Sequence, residues 1–290
     1  MSKPKRLQPN FKDVQAHYDL SNDFFATFLD PSRTYSCAFF ERDDMSLEQA
    51  QIAKIDLALA SLDLQPGMTL LDIGCGWGST MERAIQRYDV DVIGLTLSRN
   101  QHAYTKQLLD ELVTDRSHRV LLCGWEQFDE PVDRIVSIEA FEAFGKHRYA
   151  AFFDMAYRSL PSGGRMALET IFTHPPSYWH KNGIPITITD LRFMQFIRKE
   201  IFPGGELPSQ EDMAEFSRRA GFWLDGIELM NPHYVRTLDA WAANLADHRS
   251  QAITFTSEEV YNRYQRYLTG CADFFRRGIA EVAQFTFVKA

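Results

Sequence analysis

An apolar stretch, MTLLDI (68–73), passes directly into Gly74-Cys75-Gly76-Trp77-Gly78 and leaves it as a helix-forming segment, Ser79–Tyr88. Glycines at 74, 76 and 78 let the backbone take positive φ and let a ligand come close to it. A strand that turns tightly into a helix is the opening unit of a parallel α/β sheet, and the chain repeats that unit. DVIGLTL reads as a second strand followed by a helix over Gln101–Leu112. RVLLC is a third strand and DRIVSIEAF a fourth, with a helix over Arg148–Leu160. Ser162-Gly163-Gly164 turns into a fifth strand, RMALETIF; Glu211–Ala220 is a helix, WLDGIELM a strand and Ser257–Arg277 a long helix. The closing FTFVK is a strand, which predicts a sheet ending in an antiparallel pair. Ahead of the first strand, Ser46 and Gln49 form a capping box for a helix with Ile52, Ile55, Leu59 and Leu62 on one face.

The G-x-G-x-G spacing lacks the extra residue of the dinucleotide fingerprint, which makes room for a pyrophosphate at the helix N-terminus. S-adenosylmethionine carries no phosphate, and its amino-acid end fits against this turn with Asp72 near the ammonium. The second strand ends Gly94-Leu95-Thr96-Leu97-Ser98 with Gln101 close behind, so neutral hydroxyl and amide groups stand where a dinucleotide enzyme places an acid for the ribose. After the third strand, Gly124-Trp125-Glu126 offers an aromatic face and an acceptor suited to an adenine ring and its amine.

Two regions depart from the βα rhythm. Residues 10–30 space Phe11, Tyr18, Phe24, Phe25, Phe28 and Leu29 as two short helices broken near Asp19–Ser21 and ended by Pro31. Residues 172–208 hold five prolines around a helix-like patch, Leu191–Ile201, with Phe193, Phe196 and Phe202. The chain therefore reads as a single domain over 1–290, with an N-terminal helical cover over 1–45 and a lid insertion over 172–208.

Composition narrows the partners. A formal net charge of −8 counts against nucleic acid and against broad adsorption to anionic membrane. No apolar run approaches a membrane span, and the N-terminal MSKPKRLQPNFKD has no apolar stretch behind it, so the reading is neither an integral membrane protein nor a secreted one. Cys37, Cys75, Cys123 and Cys271 have no paired spacing, which points to the cytoplasm and gives no metal site. The 22 phenylalanines and 11 tyrosines are enough for a core and for an apolar substrate channel besides.

Longer motifs carry a more specific likeness. YDLSNDFFATFLDPSRTYSCAFFERDDMSLEQAQIAKIDLAL, LLDIGCGWGST, GLTLSRNQ, GWEQFDEPVDRIVSIEAFEAF, EIFPGGELPS and YLTGCADFFR together resemble the mycolic acid methyltransferases and cyclopropane synthases of mycobacteria. The resemblance implies a class I S-adenosylmethionine-dependent methyltransferase, a Rossmann-like seven-stranded sheet under N-terminal helices and a helical lid. It implies cofactor contacts at Tyr35, Ser36, Gly74, Gly76, Thr96, Gln101, Trp125 and Glu126, beside the Asp72 already singled out. The implied substrate is a long unsaturated (meromycolic) acyl chain on an acyl carrier protein. Its alkene would attack the sulfonium methyl, leaving a carbocation faced by the rings of Tyr18, Phe202, Tyr234 and Tyr267. Which carbon then loses a proton decides between a cyclopropane and a methyl-branched alkene, and capture by water would give a hydroxylated chain.

The cyclopropane synthases hold a bicarbonate base through Glu, His, Tyr and the backbone around a Cys, positions that match Glu142, Glu169, Tyr234 and Cys37. The His is thus replaced by Glu169. Their S-I-G-A-F-E-H-F reads Ser137-Ile138-Glu139-Ala140-Phe141-Glu142-Ala143-Phe144 in this chain, so a Gly has become Glu139 and a His Ala143. Glu139, Glu142 and Glu169 converge where an anion would bind and would repel it. The expectation is that bicarbonate is absent, that Glu139 is the base, and that the resemblance lies nearest the branch forming allylic-methyl trans-alkenes. A Glu139 turned to solvent or paired with Arg148 is the alternative placement. A small-molecule methyltransferase, which needs a closed polar pocket, and a silent lipid- or carrier-binding module are the competing functions.

Overall fold

The computed structural model describes residues 7–9 and 21–290. The first of the two helices expected over residues 10–30, with Tyr18, lies outside the described residues. The second is α1 (Asn22–Ala26), capped by the Ser21 hydroxyl, which accepts from the Asp23 and Phe24 amides. α2 (Leu47–Ala60) opens on the Ser46–Gln49 capping box. Its inward face differs from the expected one. Gln51, Lys54, Ile55, Ala58 and Leu59 are buried, whereas Ile52 is 38% exposed. The polar Gln51 and Lys54 turn inward because buried carboxylates and carbonyls lie beneath this helix.

The sheet then builds by alternation: β1 (Thr69–Ile73), α3 (Ser79–Tyr88), β2 (Asp91–Thr96), α4 (Arg99–Asp110), β3 (His118–Leu122), β4 (Arg134–Ile138), α5 (Tyr149–Ser159) and β5 (Arg165–Thr173). α6 (Pro176–Lys181), α7 (Ile188–Phe196) and a π-helical turn over 197–201 fill the expected insertion. α8 (Gln210–Ala220), β6 (Phe222–Leu229), α9 (Asn231–Asp247), α10 (Arg249–Phe255), α11 (Glu258–Arg276) and β7 (Ala280–Lys289) complete the chain. The seven strands lie in the order β3-β2-β1-β4-β5-β7-β6. β1 to β5 are parallel, and β7 inserts antiparallel to both β5 and β6.

This order decides where a ligand can bind. From β1 the chain winds outward to β2 and β3, then returns to β4 on β1's other side and winds the opposite way. The loops leaving β1 and β4 therefore diverge and open a crevice at their carboxyl ends. The segment after β1 holds the glycine turn, and the segment after β4 holds Glu139 and Glu142.

Most of the aromatic excess is core. Phe141, Phe152, Phe153, Phe285 and Phe287 are buried against one face of the sheet, with Trp125 at the cluster's edge. Phe24, Phe25, Phe28, Trp241 and Tyr264 form a second cluster, which ties α1 to α9 and α11. The insertion is fastened to α11. Phe193 packs edge-on to Phe274 at 4.9 Å, and Arg277 binds Asp190 at 2.8 Å. β5 runs on to Thr173, so the departure from the sheet begins two residues later than expected. Among the described residues no helix is long and apolar enough to cross a membrane, and no His, Cys, Asp and Glu group is arranged to hold a metal ion.

Candidate active site

The crevice encloses a cavity of about 600 Å³, within the size range of small-molecule sites. One end is polar and the other apolar. At the polar end, the Gly74 and Cys75 amides both donate to the Leu95 carbonyl, which pins the glycine turn to β2. All three glycines have positive φ: 82° at Gly74, 53° at Gly76 and 90° at Gly78. A Cβ at Gly74 would stand 2.4 Å from Ala140 Cβ, and one at Gly78 would stand 2.6 Å from Thr105 Cγ2. A Cβ at Gly76 would meet nothing within 4 Å, so there the bare backbone lines open space.

Asp72 faces the same space from the end of β1. Its Oδ2 is buried and has no hydrogen-bond partner among the described residues, and burial lifts the carboxyl to about 7 against the pull of Lys54. A buried acceptor without a partner is costly unless a ligand completes it. Thr96 and Gln101 bond to each other at 2.9 Å at the end of β2 and line the cavity. Trp125 presents a ring held edge-on to Phe152 at 5.6 Å. Beside it, Arg148 donates to Glu126 at 2.6 Å. That bond settles the partner of Arg148, which is Glu126 and not Glu139. A cationic, phosphate-free amino-acid end fits Asp72, and a nucleoside fits the neutral groups beyond it.

Glu139 stands in the middle of the cavity wall with φ +47°. A bulky residue in the left-handed region carries strain, which persists only where surrounding bonds hold it. Here the backbone amide donates to the Glu169 carbonyl at 2.8 Å. The carboxylate Oε1 accepts from the Cys37 amide at 2.7 Å, and Oε2 accepts from the Tyr234 hydroxyl at 2.7 Å. Burial pushes the Glu139 carboxyl well above the ordinary range, the charges of Glu169 and Glu142 add to this, and the Tyr234 and Cys37 bonds oppose it. Glu142 accepts from the Ile171 amide at 2.6 Å and from the Thr170 hydroxyl at 2.8 Å; burial raises it to about 7.

Two of the predicted residues stand behind the cavity wall, not on it. Cys37 offers only its amide: the Sγ points to the Ala38 and Met230 carbonyls, and burial keeps the thiol protonated. Glu169 is 1% exposed and lies in the layer behind Glu139. Gln284, its cross-strand neighbour on β7, donates to it at 2.7 Å, and the buried Lys54 ammonium is 3.9 Å away. Lys54 also bonds the Ser36 hydroxyl, and Gln51 holds the Ser36 carbonyl at 2.8 Å. Lys54, Gln51, Thr170 and Gln284 had no place among the predicted residues. The available signal was a cluster of three carboxylates with no cation assigned to it.

The apolar end is lined by Ile171, Phe193, Ile197, Phe202, Tyr267 and Phe274. Phe202 and Tyr267 meet edge-on at 5.7 Å, and Tyr234 tilts on Phe275 at 4.6 Å. Tyr35 and Ser36 line the wall between the two ends.

Comparison with known proteins identifies relatives of this chain. The mycolic acid cyclopropane synthetase family profile matches residues 5–285. Cyclopropane mycolic acid synthase 1 of Mycobacterium tuberculosis is 59% identical over 283 residues, 98% of this chain and 99% of that protein. The solved structure of the cyclopropane synthase MmaA2 from Mycobacterium tuberculosis superposes with a TM-score of 0.97 at 59% identity, over 98% of this chain and 99% of that one. The mycolic acid cyclopropane synthase CmaA1, solved in complex with SAH and CTAB, gives 0.96 at 59% identity, with the same coverage of both chains.

Proposed function

The chain belongs to the mycolic acid cyclopropane synthetase family and is an S-adenosylmethionine-dependent methyltransferase; from that premise we propose that it methylates an alkene in a long acyl chain with Glu139 as a built-in base. Bound S-adenosylmethionine supplies a methyl group on a sulfonium, electrophilic toward the alkene. Asp72 takes the cofactor's ammonium, Thr96 and Gln101 the ribose, and Trp125 and Glu126 the adenine; Tyr35, Ser36, Gly74 and Gly76 complete the wall. The acyl chain lies in the apolar end, delivered on an acyl carrier protein, with residues 172–208 as its lid and residues 21–45, the longer described stretch of the expected 1–45 segment, as a cover.

One alkene carbon gains the methyl and its neighbour becomes cationic. The ring faces of Phe202, Tyr234 and Tyr267 stabilise that charge. Glu139 removes a proton from the chain carbon beside the cation, and the released C–H pair becomes the new double bond of a methyl-branched trans-alkene. The observation that carries this reading is the pair of 2.7 Å bonds from the Cys37 amide and the Tyr234 hydroxyl to the Glu139 carboxylate. By resemblance, those two groups hold bicarbonate in the cyclopropane synthases. A side-chain carboxylate already occupies them, and an added anion beside Glu142 and Glu169 would be repelled. A proton next to a carbocation is acidic enough that position matters more than base strength.

The test uses a defined cis-alkenoyl carrier substrate in carbonate-depleted buffer. Turnover of the parent should be unchanged on adding bicarbonate, Glu139→Gln should lose about 100-fold or more of it, and the product should carry a branching methyl and a trans double bond. A cyclopropane proton signature would overturn the product, and rescue of depleted parent by bicarbonate would overturn the base.

A further inference from the structure

We infer that Lys54 and Glu169 form a buried charge pair that sets the basicity of Glu139, with Lys54 acting on the base only through Glu169. The inference rests on the reading of Glu139 as the base and deepens it. Lys54 projects from the inward face of α2 with its ammonium fully buried. A buried ammonium needs an anion and hydrogen-bond acceptors. The pair is 3.9 Å apart with both side chains sealed from solvent, and Ser36 takes a further bond from Lys54. Gln284 clamps both members, donating to Glu169 Oε2 at 2.7 Å and to the Lys54 carbonyl at 3.3 Å.

The geometry orders the charges. Glu169 adjoins both groups: its carboxyl is 3.9 Å from the Lys54 ammonium, Ile138 is its register partner on β4, and its carbonyl accepts from the Glu139 amide at 2.8 Å. Burial raises the Glu169 carboxyl and Lys54 pulls it back toward its ionised form; to the extent that Glu169 is ionised, it opposes ionisation of Glu139. The other titratable groups facing Glu139 are Glu142 from the turn after β4, Tyr234 from α9, Tyr267 and Cys271 from α11, and Cys37 ahead of α2. None of these is a cation. Lys54 and Glu169 are thus positioning residues: Lys54 reaches the cavity wall and Glu169 lies behind it, and together they fix how tightly Glu139 holds a proton.

The relay gives a direction that a simple cation near a base would not. With Lys54 removed, Glu169 takes a proton of its own, its charge vanishes, and Glu139 ionises more readily. The measurement is kcat/KM for the cis-alkenoyl carrier against pH at saturating S-adenosylmethionine, for the parent, Lys54→Met and Glu169→Gln. The limb that rises with pH should move to lower pH in both variants, by roughly one to three units. A limb that moves upward in Lys54→Met would mean that Lys54 acts on Glu139 directly, and a limb that stays in place would mean no coupling; either overturns the inference. Should Lys54→Met not fold, an unmoved or rising limb in Glu169→Gln overturns it alone. Glu139→Gln separates the two levels. Full turnover in that variant defeats the base assignment and this inference with it, whereas an inactive Glu139→Gln with unmoved limbs defeats only the charge relay.

Discussion

Asp72 ends β1 with a carboxyl oxygen that finds no partner in the chain, and its burial holds a proton on it up to about pH 7. An ammonium placed beside it reverses that preference, because the charged form gains a charge-assisted bond. Binding of S-adenosylhomocysteine must therefore release the Asp72 proton below that pH, and affinity should rise as pH goes from 6 to 8. Asp72→Asn has no proton to release. Calorimetry should find its affinity lower by ~10- to 100-fold at the higher pH, the loss of one charged bond of about 1.5–3 kcal/mol, and nearly flat with pH. Equal affinity in parent and variant at both pH values would remove Asp72 from the ammonium site. This residue was legible from the sequence, because an acid at the end of a strand before G-x-G-x-G has few structural reasons to be there. Lys54 was not. A lysine in an amphipathic helix reads as its solvated edge, and only a buried carboxylate on β5, far along the chain, turns it inward.

Gly270 shows the same limit for an element. It sits inside α11, where glycine costs about 1 kcal/mol relative to alanine, and the motif YLTGCADFFR gives no reason for it. The reason is a neighbour: a Cβ there would stand 2.3 Å from two ring carbons of Phe193 on α7. The gap seats the insertion against α11 and so shapes the apolar end of the cavity, which Phe193 lines. Gly270→Ala should gain helix propensity and lose more through overpacking, typically about 1–3 kcal/mol. The displaced Phe193 should raise KM for the acyl substrate several-fold while S-adenosylhomocysteine affinity stays as in the parent. An unchanged KM would show that the insertion does not depend on this contact. Helices α9 and α10 carried no sequence assignment, although Tyr234, Leu238, Trp241 and Leu245 recur at helical spacing. Pro232 in the first turn of α9 is compatible with a helix start, where a missing N–H costs nothing. The βα units were legible because their strands are short apolar runs and the turns at Gly67, Gly74, Gly76, Gly78, Gly124 and Gly163-Gly164 hold glycine. α9 and α11 instead owe their place to one another and to the aromatic cluster they share.

Over the whole molecule, the carboxyls divide into two populations with opposite effects on stability. Asp190 is held well below its ordinary range by the Arg277 guanidinium, and Glu130 and Asp89 are lowered by Arg119 and Arg116. Such groups stabilise the fold above their unfolded values and lose that contribution as pH falls through the folded ones. Asp72, Glu142, Glu139, Glu169 and Asp30 are raised, each chiefly by burial. For these the contribution is complete below the unfolded values and is lost as pH rises through the folded ones, which for Asp72 and Glu142 means about 7. The two sets bracket a stability maximum on the acid side of neutrality, and the decline above it comes from the active-site crevice. The melting temperature of ligand-free protein should therefore fall between pH 6 and pH 8. Saturating S-adenosylhomocysteine should remove part of that fall, since its ammonium holds Asp72 ionised without penalty, and Asp72→Asn should remove a comparable part with no ligand present. A ligand-free melting temperature that rises over the same interval would show that these carboxyls ionise freely in the folded chain, and that the crevice is wetter and less strained by charge than its burial implies.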